Sequence, residues 1–324
     1  MAKQQIKNNE NSTVNLMEYL SNLEEYLKQN VKVFLSEISF EQDFFEKKLN
    51  YILLEGKTDY KFFKNENFNK FNNNNYYIPL ETITEFINEK NNKRNPTPIV
   101  KKLIVNILKA KLLCKSFQNN PLFAIVDRDF DDEYSSASVA TQGILSNDTH
   151  DLETLMLSTD SDVVKKLPLK NLTDENYVKA LYMAYQIGCV KKSITNSSIF
   201  LTFNTPHDFK AYFNKEKLNV EKYINYLKTK SGQKVNVEQI INQLKKSIKI
   251  NNQNEITTTI ETFKANFPQD AWYIINGHDF TDALQFVLNI NLHNPTELLI
   301  KSYNTQKFTQ SKLFEKMKTF NLVK

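Results

Sequence analysis

Apolar positions along the chain switch between two periods, and the switches mark out its elements. Residues 1–13 are polar and read as a flexible tail. Over 14–48, Leu16, Tyr19, Leu20, Leu23, Tyr26 and Leu27 recur at three- and four-residue steps, which predicts a helix. Tyr51-Ile52-Leu53-Leu54 then runs apolar without a break and stops at Glu55-Gly56, the pattern of a strand buried on both faces. A helix from about Thr58 follows, with Thr58 as its N-cap and Tyr60, Phe62 and Phe63 packing. After an Asn-rich loop at 65–75, residues 76–80 read as a second strand, which Pro79 favours as an edge. The polar stretch 88–97 precedes Pro98, suited to the first turn of a helix reaching about Ser116. Leu122–Val126 is another buried strand and Ile144-Leu145 a shorter one. A helix from Asp151 carries Leu152, Leu155 and Met156 inward.

Beyond about residue 160 the pattern is mainly helical, over 174–194, 208–230 and 236–250. Trp272-Tyr273-Ile274-Ile275 again reads as a strand, followed by Asn276-Gly277-His278-Asp279 and a helix, and a last helix spans 307–319. Strands alternating with helices predict an α/β fold with a mainly parallel sheet flanked by helices, followed by a largely helical C-terminal region. No repeat of fixed period is present.

Composition narrows the chemistry. The 324 residues include only five glycines, Gly56, Gly143, Gly188, Gly232 and Gly277. Ordinary usage would give roughly twenty-three. Their spacing cannot write a P-loop or a G-x-G-x-x-G dinucleotide loop, so a glycine-cradled nucleotide is excluded. Glycine used this sparingly is expected where the backbone needs unusual dihedrals or close approach, Gly56 and Gly277 among them. The two cysteines, Cys114 and Cys189, stand among apolar neighbours and read as buried thiols. The N-terminus has no h-region, and with a mean hydropathy of -0.51 no apolar run approaches a bilayer span. The expectation is a cytoplasmic chain with no membrane association.

Charge is uneven. Residues 1–160 hold 19 Lys+Arg against 23 Asp+Glu, and residues 161–324 hold 23 against 14. An acidic half joined to a basic half suits an enzyme acting on a polyanion, and also a Lys-rich chain with solvated lysines. The acidic residues fall at strand ends: Glu55 after Leu54, and Asp127, Asp129, Asp131, Asp132 and Glu133 after Val126. The carboxyl edge of a parallel sheet is where sites form. Five carboxylates within seven residues repel unless cations neutralise them, and hard oxygen ligands suit Mg²⁺, Mn²⁺ or Ca²⁺. An EF-hand loop counted from Asp127 fails twice, with Asp132 where Gly is needed and Ser138 where Glu is needed.

The segments YILLEGKTD (51–59) and FAIVDRDFD (123–131) resemble a TOPRIM domain, with Glu-Gly after its first strand and Asp-x-Asp after a later one. THDLE (149–153) and NGHD (276–279) extend the likeness to the TOPRIM-like, OLD-related family that supplies the nuclease subunit of the PARIS anti-phage system. The resemblance covers roughly 49–160 and 270–285. It implies a catalytic core over 49–160, preceded by a tail and helix at 1–48. A basic helical region follows over 161–324, with 270–285 returning to the core. It implies a metal-dependent nuclease. Glu55 would bind metal or act as general base, and Asp127 and Asp129 would hold Mg²⁺ or Mn²⁺. Asp131 and Glu153 would be further metal ligands, and Lys57 or Arg128 would contact the scissile phosphate. The implied partners are nucleic acid, DNA or RNA, with tRNA the target if the PARIS likeness is close, and an ABC-type, OLD-like ATPase; a homodimer is compatible with it. His150 and His278 each precede an Asp after a predicted strand and are secondary candidates for the same cleft, while His207 and His293 read as structural or exposed. Asp151 and Asp279 are equally candidates for helix N-caps. The tyrosines of 174–250 either stack bases or pack in a bundle. The competing function is a non-catalytic TOPRIM-like module that binds nucleic acid or a partner protein.

Overall fold

The structure is a computed structural model, and it describes residues 49–79, 122–128, 143–147, 149–196, 209–231, 238, 241–242, 250–252, 255–256 and 259–324. The tail and helix expected over 1–48, the helix from Pro98, Cys114, Asp129, Asp131, His207 and most of the helix expected over 236–250 lie outside these residues.

The chain opens with β1 (Asn50–Leu54), α1 (Lys57–Phe63), a 3₁₀ turn (Glu66–Phe71) and β2 (Asn75–Pro79). Next come β3 (Leu122–Val126), β4 (Ile144–Ser146) and α2 (Leu152–Thr159). The long α3 (Asp174–Asn196) and the single turn α4 (Phe209–Tyr212) follow. A small hairpin, β5 (Phe213–Asn214) with β6 (Lys217–Leu218), precedes α5 (Val220–Ser231). A second hairpin joins β7 (Ile250–Asn252) to β8 (Glu255–Ile256). Helices α6 (Ile260–Ala265), α7 (Ala271–Ile274), α8 (Gly277–Leu288) and α9 (Pro295–Ser302) come next. A 3₁₀ turn (Thr305–Gln310) and α10 (Lys312–Thr319) complete the order.

The main sheet has the order β2-β1-β3-β4, and all three pairings are parallel. The fold is therefore α/β, a four-stranded parallel sheet flanked by helices. Tyr51 to Leu54 are at most 1% exposed, which is why this strand carries an unbroken apolar run and not an alternating one. Strand β2 lies on the outside of β1, as Pro79 predicts. Helix α1 starts one residue earlier than expected. Gly56, not Thr58, is its N-cap, because the Asp59 carboxylate reaches back to accept the Gly56 N–H at 3.0 Å.

Four expectations give way to tertiary packing. Residues 272–275 are not a strand but the end of the one-turn helix α7, with Ile275 N–H donating to Ala271 O at 2.8 Å. Ala271 and Ile274, three apart, turn inward together and override the β-favouring composition. Residues 208–230 are not one helix: the β5–β6 hairpin breaks them, with Lys215 at φ 55° in the turn. The final helix splits at Ser311, whose hydroxyl accepts the Phe314 N–H and starts α10 afresh. Ile250, expected at a helix end, begins β7.

The C-terminal segments fold back onto the first βαβ unit. Phe308 meets Phe68 at 4.8 Å between ring centroids and Phe62 at 5.8 Å, and Phe314 meets Phe71 at 5.6 Å. Asn72 bridges Val323, the Lys324 N–H donates to Phe71 O at 3.1 Å, and the Asn75 side chain donates to Leu322 O at 2.5 Å. The Lys61–Glu297 ion pair ties α1 to α9. Buried Asp160, capping the end of α2, accepts from Lys166 Nζ at 2.7 Å and from the Asn304 N–H at 3.0 Å.

Helix α3 packs against α7 and α8. Its contact with α7 is close enough to need glycine: a Cβ on Gly188 would stand 2.1 Å from the Ile274 carbonyl oxygen. Tyr182 and Tyr223 are fully buried and Tyr185 nearly so, which assigns all three to the core and not to base stacking. Cys189 is a buried free thiol, pushed up to about 12 by burial. Among the described residues, no helix is long and apolar enough to cross a membrane.

Two outcomes are expected. Gly188→Ala gains about 1 kcal/mol of helix propensity but forces a backbone clash costing roughly 1–3 kcal/mol or more. Its urea midpoint should therefore fall, and a rise would show that α7 yields freely. For Asp160, burial opposes ionisation, but Lys166 and the N–H groups of Asn304 and Asp162 outweigh it and hold the carboxyl below its ordinary value. Its stabilising contribution is thus present above the ordinary carboxylate pKa and lost as pH falls through the lowered folded value. Asp160→Asn should cost about 1–3 kcal/mol at neutral pH, and the deficit should shrink in acid denaturation series.

Candidate functional site

Parallel register brings the carboxyl ends of β1, β3 and β4 to one edge. Leu54 pairs with Ile125 and Val126 with Ser146, so Glu55, Asp127 and Asn147 follow the three strands side by side. The Asp127 N–H donates to Glu55 Oε1 at 2.7 Å. Asn147 donates its own N–H to Val126 O at 3.1 Å and its Nδ2 to Asp127 Oδ1 at 2.7 Å. Glu55 is 8% exposed and Asn147 is 3% exposed, so this network sits largely out of water.

Asn147 donates with its nitrogen and, among the described residues, leaves Oδ1 buried without a hydrogen-bond partner. A buried orphan acceptor costs about 1–3 kcal/mol. Beside two carboxylates, it is a third oxygen donor of the kind a hard divalent cation takes. The residues present therefore fit Mg²⁺ or Mn²⁺ in donor chemistry. Glu55, Asp127 and Asn147 are the residues that would hold it. Sequence reading placed Glu55 and Asp127 at this edge but did not single out Asn147, whose meaning depends on the β3–β4 register. Among the described residues, no three His, Cys, Asp or Glu side chains converge on a point, and Asp129 and Asp131 lie outside those residues.

Positive charge reaches the same edge from elsewhere in the chain. Lys316, on α10, donates to Ser146 O at 3.0 Å. The sequence does not single it out; in the structure it is half-buried between buried Phe314 and Met317. Arg128 follows Asp127 directly, and its guanidinium lies 4.0 Å from the ring centroid of Tyr273. Lys57 is exposed in the first turn of α1, two residues after Glu55.

The second group of carboxylates is built around helix starts. Asp151 is the N-cap of α2: its Oδ1 accepts from Thr154 N and Oγ1, both at 2.9 Å. Its Oδ2 accepts the Gly277 N–H at 2.7 Å, which serves the start of α8 as well. Glycine at 277 is required by this approach, since a Cβ there would stand 2.2 Å from Glu153 Cβ. Gly56 differs: its φ of -134° is extended backbone that any residue adopts, so the unusual dihedral expected there is absent. Asp279 is not a cap; Asn276 caps α8 by accepting the N–H groups of His278 and Asp279. Asp279 instead forms a buried pair with Lys191 on α3, with oxygens 2.7 and 2.8 Å from Nζ.

Glu153 is buried in the first turn of α2 and accepts from Thr296 Oγ1 at 2.7 Å. His278 Nε2 lies 3.9 Å from its carboxylate. Among the described residues, its polar partners are these two and not the strand-end carboxylates. Burial, and then Asp151, hold the Glu153 carboxyl above its ordinary value. Glu153 in turn is the main cause raising the exposed His278, with burial opposing. His150 is buried and anchors its backbone N–H on Trp272 O at 2.9 Å, while His293 is exposed.

No family model matches the chain, and no curated protein matches it in sequence.

The raised His278 contributes stability that is complete below the ordinary imidazole pKa and is lost as pH rises through the raised folded value. Glu153→Gln should bring the His278 pKa down, read from imidazole NMR shifts across pH. An unaltered titration would show that Glu153 is not its partner.

Proposed function

We propose that the chain is a metal-dependent nuclease of the TOPRIM type, cutting phosphodiester bonds in nucleic acid. The carrying observation is the Glu55–Asp127 pair at adjacent ends of parallel strands, joined by a 2.7 Å hydrogen bond, with the orphaned Asn147 oxygen beside it. Mg²⁺ or Mn²⁺ bound there would supply Lewis acidity and a water of lowered pKa. The chain's own groups account for the rest. Glu55, oriented by the Asp127 N–H, is the residue placed to accept a proton at its carboxylate. Asn147 orients Asp127. Lys316 and Arg128 put fixed positive charge beside the acidic edge, where a phosphate gathers negative charge during transfer. Asp129 completes the proposed ligand set, with Asp131 next in order. Glu153 is assigned instead to orienting α8 through His278 and α9 through Thr296.

The same reading extends to the setting. The likeness of 51–59, 123–131, 149–153 and 276–279 to the nuclease subunit of PARIS points to anti-phage immunity beside an ABC-type ATPase, with tRNA as a favoured substrate. The five glycines cannot form a Walker loop, so nucleotide hydrolysis in such a system falls to the partner.

The test is incubation with plasmid DNA and with total tRNA, each with Mg²⁺, Mn²⁺ or chelator. Glu55→Gln keeps an oxygen to accept the Asp127 N–H while removing the charge. Its cleavage rate should fall on the order of a hundredfold or more, with an unchanged thermal melt. Cleavage by Glu55→Gln at the parent rate, or in chelator, would sink the mechanism.

A further inference from the structure

Two phenylalanines at the end of α6 meet different fates. Phe263 is 1% exposed and fills a core position, its ring centroid 5.4 Å from that of Tyr182 and 5.2 Å from that of Tyr185. Phe267 follows one helical turn later, past the C-cap Asn266 and just before Pro268. With the core position taken, its ring stands 38% exposed. It is nevertheless braced. Phe263 meets it edge-on at 5.2 Å, and Trp272, half-buried on α7, meets it at 5.2 Å as well.

The brace is tied to the acidic edge. Trp272 O accepts the backbone N–H of His150 at 2.9 Å. His150 comes three residues after Asn147, which follows β4 beside Asp127. Three residues of chain span at most about 11 Å. Phosphates along one strand recur about every 3.4 Å, so the backbone under Phe267 lies within a few nucleotides of the edge.

The size of the exposed face limits what can cover it. An aromatic side chain carries about 150–250 Å², so 38% exposure leaves on the order of 80 Å². A stable protein partner covers roughly 800 Å² on each side. Among the described residues the other exposed large hydrophobic is Tyr76 on β2, so Phe267 belongs to no broad apolar face. A flat group of one-ring size suits it, and a nucleobase is such a group. Charge adds little here. Exposed Lys264 and half-buried Lys192 are offset by exposed Glu261 and Asp270, the last 4.0 Å from Lys192.

We propose that Phe267, braced by Phe263 and Trp272, is a stacking platform for an unpaired base of the nucleic-acid strand that reaches the Glu55–Asp127 edge. The proposal deepens the nuclease reading and rests on it for the chemistry of the substrate. It assigns a substrate class, single-stranded or looped nucleic acid, because a base inside a duplex already has both faces stacked. Every base has a π-face, so the platform carries no sequence preference of its own.

Trp272 is the only tryptophan of the chain, so its emission reports on the platform directly. The full chain is titrated in chelator with oligothymidylate, and separately with the same strand paired to oligoadenylate. The single strand should quench Trp272 emission to saturation, and the duplex should not. Phe267→Leu keeps Phe263 covered and removes the flat ring. Its affinity for a labelled single strand, read by anisotropy, should fall about fivefold or more. The slope of log K against log salt should keep the parent value, because no phosphate contact is lost. Phe267→Tyr should bind like the parent. Parent affinity in Phe267→Leu, equal quenching by duplex and single strand, or a parent chain that binds neither would each overturn the platform. Cleavage is read separately in Mg²⁺. A chain that holds the strand through Phe267 and cuts nothing would uphold the platform and remove the nuclease. Glu55-dependent cleavage by a chain whose Phe267→Leu variant binds and cuts like the parent would do the reverse.

Discussion

One buried carboxylate governs how the two halves of the chain meet. Asp151 uses Oδ1 on the first turn of α2 and Oδ2 on the first N–H of α8. Each helix start exposes backbone donors and a positive dipole end, and an anion between two of them satisfies both. The geometry is unforgiving, because the carboxylate reaches α8 only if residue 277 has no side chain to meet Glu153. From that junction the rest follows. The loop before Asp151 is held to α7 through His150, α8 is laid along α3, and α9 is brought to Glu153 through Thr296.

What the sequence made legible was decided by local signals. Strands β1 and β3 announce themselves because burial on both faces demands unbroken apolar runs, and the residues that end those runs, Glu55 and Asp127, are placed by that fact alone. The 272–275 segment misleads for the same reason: an aromatic and β-branched run looks like a strand, and only the contact with Gly188 on a distant helix makes it a turn. Asn147 and Lys316 give no sequence signal of their own. The first matters because of strand register, the second because α10 docks beside β4. Glycine scarcity pointed correctly to Gly277 but not to Gly56, whose ordinary backbone angles leave its presence without a conformational cause.

The uneven charge of the two halves acquires a spatial sense at this edge. Glu55 and Asp127 come from the acidic half, with Lys57 and Arg128 beside them, while Lys316 comes from the basic half. The tyrosines that looked like stacking groups in the basic half are largely core.

The docking of residues 321–324 on the Asn-rich loop reaches into the order of folding. Strands β1 and β2 pair early in the chain, but the Asn75 side chain, buried in β2, donates both to Tyr77 Oη within its own strand and to Leu322 O, 247 positions later. Until that segment docks, the Asn75 amide keeps only its bonds near the strand, and an aromatic face waits for Phe308 and Phe314. Completion of the sheet edge therefore waits on contacts far apart in the sequence, and reaching the native state carries the entropy of closing a loop of 247 residues.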